Sequence, residues 1–400
     1  MERTQVVISG AGPAGLFLSH LLHLGGIESV VLERRDRAYV EGRVRAGVLE
    51  FGAAELLREA GLGGRMDREG LVHRGINLRF AGERHRLDFE DLVGRGILVY
   101  GQQEVVKDLI AARLAAGGTI IFGADAVRIE GIESTRPTVA YATSSGQGEL
   151  AADVVAGCDG SHGISREALT GARRFERIYP HAWLGILAQT PPSAEELIYA
   201  YHERGFALHS MRSPAVSRLY LQVAPDEELD RWPEARIWEE LRLRLDEPSL
   251  RPGPVMESSI TPMRSLVIEP MQAGRLFLAG DAAHIVPPTG AKGMNLALAD
   301  VSVLAGALLE WYRSASTALL DRYSADCARR VWRAQHFSSF MTQLLHRDPQ
   351  GDPFEHRLRL SNLAYLSGSR AAATSLAENY VGAATGWRAG TRAVRSRLSG

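Results

Sequence analysis

The strongest constraint on the fold is a glycine-rich turn close to the N-terminus. Residues 10–15 read GAGPAG and lie between an apolar strand-like stretch and an apolar helical stretch. In a G-x-G-x-x-G turn the first glycine allows the tight bend, the second lets a pyrophosphate approach the backbone, and the third lets helix and strand pack closely. Because another apolar stretch follows at 29–32, the segment predicts a βαβ unit, a parallel sheet and a bound dinucleotide.

Three further features indicate which dinucleotide the turn would bind. Glu33 ends the second strand at the distance expected for a ligand of an unphosphorylated adenosine ribose, which fits either FAD or NAD. Asp159-Gly160 follows another buried stretch, and GDAAHIVPPTG at 280–290 follows a third. Asp281 can accept from a ribityl hydroxyl, and the glycine-rich turn that leads into the next helix can direct N–H groups at a flavin. Together, these motifs favour FAD.

The pattern of apolar and polar residues along the chain predicts three regions. Residues 1–175, with a returning segment at 268–300, are expected to form an α/β, Rossmann-like FAD-binding domain. Residues 176–267 alternate like the strands of an antiparallel β-sheet, which would bind the substrate. Residues 301–400 are expected to be helical, with a basic and disordered tail at 383–400.

Composition excludes several classes of protein. The formal net charge is -1, which gives no global basic surface for nucleic acid. The two cysteines, Cys158 and Cys327, are too few for a secreted disulfide framework and match no metal-ligand spacing. The chain contains no run of about 18 uncharged apolar residues, so no membrane-spanning helix is predicted. We therefore expect a cytoplasmic protein with no metal, nucleic-acid or membrane partner.

Stretches along nearly the whole chain to about 382 resemble the class A FAD-dependent aromatic hydroxylases, and most closely the members that act on 4-hydroxybenzoate. The stretches are RVRAGVLE (43–50), GLVHRG (70–75), AGCDGSHGISR (156–166), ELIYA (196–200), RGFAL (204–208), RLFLAGDAAHIVPPTGAKG (275–293) and AENYVG (377–382). The resemblance implies a GR2-type FAD domain and a homodimer formed through the C-terminal helices. It also implies that FAD, O2 and NAD(P)H place a hydroxyl group ortho to a phenol, giving 3,4-dihydroxybenzoate.

The resemblance assigns roles to individual residues. A free phenol has a pKa of about 10, so only about one in a thousand is ionised at neutral pH and the site must shift that balance. The implied catalytic residues are Tyr199, Tyr380, His73 and Pro288. The tyrosine pair and the histidine would pass the phenol proton to solvent, and Pro288 would line the pocket over the flavin. The implied substrate ligands, with Arg212 as the carboxylate partner, are Tyr199, Ser210, Arg212, Tyr220, Pro288 and Thr289.

The resemblance also implies two sets of cofactor contacts. Those to FAD are Gly10, Gly12, Pro13, Ala14, Gly15, Glu33, Arg43, Arg45, Val48, Gln102, Asp159, Asp281, Gly293, Met294 and Asn295. Those to the nicotinamide co-substrate are Arg34, Arg35, Tyr39, Arg43, His162 and Arg264. Two arginines directly after Glu33 favour the 2′-phosphate of NADPH. They equally suit a solvated helix start, and Asp36 would repel a phosphate, so NADH stays open.

Three positions depart from the family pattern. His209 replaces a small residue, Met211 replaces glutamine, and Tyr201 replaces asparagine. Because His209 and Met211 flank Ser210 on a strand, alternation predicts that both point out of the pocket. Two interpretations follow: neutral drift, or the same chemistry on another substituted benzoate or related phenolic acid. A non-catalytic flavin-binding protein is a third alternative, which no motif favours.

Overall fold

The structure is a computed structural model that describes residues 2–45, 47–348 and 350–382. Its strands, in chain order, are β1 Glu2–Arg3, β2 Val6–Ser9, β3 Ser29–Glu33, β4 Val48–Leu49, β5 Leu71–His73, β6 Gly75–Phe80, β7 Glu83–Asp88, β8 Ile97–Val99, β9 Thr119–Phe122, β10 Asp125–Glu130, β11 Thr138–Thr143, β12 Gly146–Ala151, β13 Val154–Gly157, β14 Arg173–Ala188, β15 Ile198–Ala200, β16 Ala207–Ser213, β17 Val216–Val223, β18 Val255–Glu269, β19 Gln272–Ala273, β20 Leu276–Leu278 and β21 His284–Ile285. Its helices are α1 Pro13–Leu24, α2 Arg37–Gly42, α3 Phe51–Glu59, α4 Gly63–Glu69, α5 Phe89–Val93, α6 Gln102–Ala115, α7 Ser165–Ala168, α8 Glu234–Leu245, α9 Gly293–Ser314, α10 Ala318–Asp321, α11 Tyr323–Leu345, α12 Pro353–Gly368 and α13 Arg370–Val381.

A six-stranded sheet in the order β19-β20-β13-β2-β3-β9 organises the FAD-binding part. The five strands from β20 to β9 are parallel, and α1 is the crossover between β2 and β3. Every residue of β2 and of β13 is buried, as expected for a parallel sheet that is covered on both faces. The predicted Rossmann-like α/β fold is therefore confirmed.

An eight-stranded sheet in the order β21-β18-β14-β17-β16-β15-β6-β7 forms the second layer. It includes β6 and β7, although the sequence pattern predicts residues 1–175 as part of the FAD-binding region. The boundaries proposed at 175/176 and 267/268 also need adjustment, because β14 begins at Arg173 and β18 ends at Glu269. The discrepancy has a physical cause: β15 pairs in parallel with β6, more than a hundred positions earlier in the chain, and no local pattern reveals such a pairing.

The C-terminal region is helical, as predicted. Its first helix, α9, crosses the boundary proposed at 300/301. By length and composition alone α9 could span a membrane, with a mean hydropathy of 1.4, but 78% of that window is buried inside the fold. It packs against α1 and α11, which accounts for its apolar composition. The basic tail predicted at 383–400 lies outside the described residues.

The two faces of the eight-stranded sheet have different coverings. One face packs on α8, with Ile198, Leu219 and Leu241 in a shared apolar core. The other face packs on the C-terminal helices, and its core includes Tyr199 and Tyr380. The predicted substrate residues belong to this second face, between the sheet and the helices.

Candidate active site

The glycine turn after β2 has the shape that a pyrophosphate requires. Gly10 has a φ of +102°, and a Cβ there would lie 2.4 Å from the carbonyl oxygen of Cys158, so only glycine fits. A Cβ on Gly15 would lie 2.0 Å from the Gly10 oxygen. A Cβ on Gly12, in contrast, would meet nothing within 4 Å. Because α1 begins at Pro13 without a side-chain cap, its free N–H groups can hold a phosphate on this open side.

Glu33 closes the turn from the neighbouring strand. Its Oε2 accepts the N–H of Ala11 at 2.8 Å, and its Oε1 accepts the N–H of Arg35 at 2.9 Å. A carboxylate offers about four acceptor sites, so these bonds leave room for ribose hydroxyls. The position of Glu33 is therefore compatible with the predicted adenosine site.

The DG and GD motifs lie together beside this turn. Asp159 Oδ2 accepts both the N–H and the hydroxyl of Ser165, at 2.9 and 2.7 Å. Its Oδ1 is buried without a hydrogen-bond partner among the described residues, and burial raises the pKa of this carboxyl group. Arg166 donates to the carbonyls of Asp281 and Ala282 at 2.6 and 2.9 Å, which joins the two motifs. The free Asp159 oxygen and the exposed Asp281 carboxylate suit FAD hydroxyls.

The turn that precedes α9 is held from below. The Asn295 amide donates to the carbonyls of Val48 and Ala291 and accepts the N–H of Glu50. Helix α9 begins at Gly293 without a side-chain cap. With its side chain already paired, Asn295 can reach FAD only through the backbone. The N–H groups at 293–295, including that of Met294, are therefore the donors that α9 offers to a flavin.

Lys292, in the same turn, belongs to none of the motifs that predict the site. Its Nζ lies 2.6 Å from Glu50 Oε1 and donates to the carbonyl of Tyr380 at 3.0 Å. Burial lowers the pKa of this ammonium group, and Glu50 opposes the shift. The signal was present as a lysine between small residues in the stretch TGAKG. The lysine therefore joins the turn before α9 both to Glu50 and to α13.

The predicted carboxylate partner adjoins the predicted FAD contacts. Arg212 donates to the carbonyl of Arg45 at 3.2 Å and to that of Met211 at 2.9 Å. Its Nε is buried without a partner among the described residues, and burial lowers the pKa of the guanidinium group. Arg43 is exposed at the end of α2, and Gln102 is the first residue of α6.

A row of residues crosses four strands on the face that meets the C-terminal helices. Tyr199 lies opposite Leu208, Leu208 opposite Tyr220, and Tyr220 opposite Gly185. Directly opposed residues point to the same face, as do residues two apart on a strand, so Ser210 shares this face. The register therefore assembles three of the predicted substrate ligands on one surface.

Arg218 also belongs to this surface and was missed. It lies opposite Ser210, two positions before Tyr220, so strand alternation would have revealed it. A Cβ on Gly185 would lie 2.8 Å from Arg218 Nη2, so the glycine makes room for the guanidinium. Burial would raise the pKa of the Tyr220 phenol, but the charges of Arg218 and Arg212 outweigh burial and lower it. The surface is thus positively charged and suits a carboxylate.

The predicted tyrosine pair is in hydrogen-bond contact. The hydroxyls of Tyr199 and Tyr380 are 2.5 Å apart, and both side chains are fully buried. Burial raises the pKa of both phenols, so both hold their protons at neutral pH. His73 is 1% exposed, and neither ring nitrogen has a partner within the described part of the chain. Burial lowers its pKa to about 4, which keeps the ring neutral at neutral pH.

Pro288 and Thr289 form the short 3-10 turn before α9. The Thr289 hydroxyl accepts from Thr342 of α11 at 3.0 Å. A Cβ on Gly290 would lie 2.6 Å from the Ser338 hydroxyl oxygen, so α11 fits closely under this turn. The predicted flavin-lining backbone is therefore fixed by α11.

The predicted nicotinamide contacts occupy two regions. Arg34, Arg35 and Tyr39 are exposed around the start of α2, where Arg35 lies over the Tyr39 ring at 4.9 Å. Asp36 accepts the N–H of Tyr39 and caps this helix, as the alternative of a solvated helix start requires. His162 and Arg264 instead lie near Arg166, the residue that joins the DG and GD motifs. His162 directly follows Ser161, whose carbonyl accepts from Arg166. Burial lowers the pKa of Arg166, and the positive charge of Arg264 lowers it further.

His209 and Met211 do not join the row of pocket residues, whereas Tyr201 lies in the same apolar core as Tyr199 but bonds to a C-terminal helix. His209 is on the opposite sheet face from Ser210, where its Nε2 accepts the N–H of Ser193 at 3.1 Å. Met211 is buried on the same strand, one position past Ser210. The Tyr201 hydroxyl is 2.7 Å from His356 Nδ1, so this tyrosine joins β15 to α12. These contacts favour structural roles for all three residues.

A structural role for His209 predicts a change in acid stability. Burial lowers its pKa from 6.5 to about 4, so the fold favours the neutral ring. Its contribution to stability is therefore complete above pH 6.5 and is lost as the pH falls towards about 4. We expect His209→Gln to remove roughly 3 kcal/mol of this pH-dependent loss. Thermal unfolding followed from neutral to acidic pH measures it, with exposed His336→Gln as control. An unchanged pH profile would contradict the assignment.

Comparison with known proteins agrees with this arrangement. A family model described as FAD binding domain matches residues 3–338. The p-hydroxybenzoate hydroxylase of Acinetobacter baylyi is 46% identical over 386 residues, which cover 95% of this chain and 95% of that protein. The rifampicin monooxygenase of Streptomyces venezuelae is 29% identical and covers 80% of this chain and 67% of its own length.

A solved structure supports the fold independently. The p-nitrophenol 4-monooxygenase of Pseudomonas putida superposes with a TM-score of 0.84 at 20% identity, covering 96% of this chain and all of that one. The glycine turn, Glu33 and the DG and GD motifs meet where an FAD would be held. The chain therefore belongs to the FAD-dependent aromatic hydroxylase family that includes the p-hydroxybenzoate hydroxylase of Acinetobacter baylyi.

Proposed function

We propose that the enzyme hydroxylates 4-hydroxybenzoate to 3,4-dihydroxybenzoate with FAD, O2 and NAD(P)H. The observation that carries this proposal is the 2.5 Å contact between the Tyr199 and Tyr380 hydroxyls on the surface that also presents Ser210 and Tyr220. A para-hydroxylated acid has a phenol at one end and a carboxylate at the other. The tyrosine pair suits the first group, and the arginine-rich end of the surface suits the second.

FAD, when bound, supplies the redox chemistry that activates O2. The protein residues act on the substrate. Tyr199 accepts the phenol proton as it passes its own proton to Tyr380, so the ring gains electron density without an exposed charge. We propose that His73, whose buried ring is neutral and has neither nitrogen paired among the described residues, relays a proton between this pair and solvent without retaining it. The short and buried contact makes the ionisation local and protects it from bulk water.

The other end of the substrate needs compensation for lost hydration. Arg212 can form a bidentate contact with the carboxylate, and the Ser210 and Tyr220 hydroxyls can add donors. Arg218 contributes further positive charge on the same surface. Pro288 and Thr289 would place the aromatic ring against the flavin, since α11 fixes their turn.

Product analysis tests the proposal directly. The holoenzyme is supplied with NADPH, O2 and 4-hydroxybenzoate, and flavin reduction and dihydroxy product are followed together. We expect product in near-equal amount to the NADPH consumed. NADPH oxidation without ring hydroxylation would contradict the catalytic claim. Another substituted benzoate that couples better would favour the alternative substrate, which the positions of His209 and Met211 do not support.

The co-substrate proposal is NADPH in preference to NADH. Its support is the exposed pair Arg34 and Arg35 directly after Glu33. Asp36, whose charge would repel a phosphate, is already engaged as the N-cap of α2. We expect the double substitution R34A/R35A to lower kcat/KM for NADPH about tenfold and to change the NADH value little, because only NADPH carries the 2′-phosphate. Arg37→Ala, which removes a surface pair with Glu41, is the control. A wild-type kcat/KM higher with NADH than with NADPH would overturn the preference.

We also infer a homodimer. Support comes from an apolar groove of about 520 Å³ between β14, β18 and α11, which is one of the C-terminal helices through which the resemblance implies a dimer. Phe175 and Trp332 are 38% and 41% exposed there, and Ile178 nearby is 76% exposed. Exposed apolar groups in such a cluster are typical of a protein interface.

A further inference from the structure

A histidine outside the predicted site connects two walls of the substrate pocket. His346 follows the last residue of α11 and is 1% exposed. Its Nδ1 lies 3.0 Å from the carbonyl of Thr342, and its Nε2 lies 2.6 Å from Trp183 Nε1. Because the indole nitrogen only donates, Nε2 must accept, and Nδ1 must carry the proton that goes to Thr342. Both hydrogen bonds therefore require one neutral tautomer.

Trp183 carries this constraint to the pocket. It lies two positions before Gly185 on β14, on the face that presents Tyr199 and Tyr220. Its ring is 4.7 Å from the Tyr220 ring and stacks on Phe206 at 5.3 Å. Phe206 in turn stacks on His346 at 4.6 Å. Rotation of the indole would displace the Tyr220 side of the pocket.

The same turn of α11 reaches the flavin side. Thr342, whose carbonyl accepts from His346, donates its hydroxyl to that of Thr289 at 3.0 Å. One segment, Thr342 to His346, thus contacts both the turn over the flavin and the wall beside Tyr220. The distance between the substrate ring and the flavin depends on how firmly these two walls are held together.

We propose that His346 is a positioning residue for the aromatic substrate, acting through the indole N–H of Trp183. This inference rests on the proposed function, since it concerns the same pocket. A buried indole N–H that loses its acceptor must turn or remain unpaired, and either change weakens binding. Histidine is suited to this place because it accepts on one edge and donates on the other.

A double-mutant cycle tests the proposal with the FAD-loaded enzyme. The variants are H346L, W183F and W183F/H346L, with H346Q as the conservative variant that can still accept and donate. We expect H346L to raise the Kd for 4-hydroxybenzoate, measured by flavin absorbance, about tenfold and to lower product formed per NADPH. FAD content should remain near that of the wild type. The double variant should bind no more weakly than W183F, and H346Q should recover most of the affinity.

Wild-type affinity and coupling in H346L would overturn the proposal, as would losses that multiply in the double variant. If H346L does not fold, W183F decides: it keeps the aromatic ring but lacks the donor, and unchanged substrate affinity would refute the inference. Failure of the proposed function is recognised separately. It would remove dihydroxy product from the wild type as well. Failure of this inference leaves the wild type active and shows no energetic coupling between positions 183 and 346 in the double-mutant cycle.

Discussion

Arg212→Ala is expected to abolish tight binding of 4-hydroxybenzoate. The guanidinium of Arg212 joins the predicted substrate surface to the carbonyl of Arg45, and its Nε has no partner among the described residues. Loss of one partner of a buried ion pair typically costs about 3–5 kcal/mol, which corresponds to a rise in Kd of roughly 10²-fold to several thousandfold. Titration of the holoenzyme with substrate, followed by flavin absorbance, measures the change.

Two variants make the Arg212 result specific. Arg212→Lys keeps the charge but loses the fork, so we expect an intermediate affinity because lysine cannot bind the carboxylate in the bidentate manner. Arg242→Ala, an exposed arginine on α8, should bind as the wild type does. Substrate affinity that is unchanged in Arg212→Ala would refute the carboxylate assignment, provided that the variant retains its FAD.

Tyr199→Phe is expected to reduce hydroxylation about a hundredfold or more while changing substrate Kd much less. The ring still packs, but the hydroxyl that contacts Tyr380 at 2.5 Å is gone, and positioned proton transfer typically contributes about 10²- to 10⁴-fold. The absorbance of the bound phenolate is a second measurement. In the wild type it should appear near neutral pH, whereas in the variant it should need a pH closer to the free phenol value of about 10.

Tyr323→Phe is the matched control for the tyrosine pair. Tyr323 is also fully buried, but its hydroxyl donates to the carbonyl of Leu278 under the parallel sheet. Its loss should lower stability, by about 0.5–1.5 kcal/mol for a typical hydrogen bond, and leave product per NADPH unchanged. Turnover of Tyr199→Phe within twofold of the wild type would exclude the proposed proton path.

The grouping of the predicted FAD contacts at one edge of the sheet could be foreseen from the sequence because their motifs are local. The glycine turn, Glu33 and the two aspartate motifs each follow a buried strand, and parallel strands bring their carboxyl ends to one edge. The tyrosine pair joins positions 181 residues apart, and the Glu50–Lys292 pair joins positions 242 apart. Spacing cannot reveal such contacts, so only the resemblance connected Tyr199 with Tyr380, and Lys292 was missed.

The departures from the family pattern show what alternation can and cannot predict. Strand periodicity placed His209 away from Ser210, on the opposite face. The reason for the histidine could not be read from the sequence, since it depends on the N–H of Ser193 in a separate loop. Tyr201 likewise needed the position of α12 before its partner, His356, could be identified.

The pairing of β15 with β6 also bears on how the chain can be divided and folded. A fragment covering 176–267 would lack β6 and would present Ile198–Ala200 as an open, apolar edge strand. Such an edge is a template for aggregation, so we expect the fragment to be insoluble. In the intact protein the pocket sheet can close only after early and middle segments of the chain meet. High contact order of this kind slows folding. The pocket sheet therefore needs strands from both sides of the boundary predicted at 175/176 before it is complete.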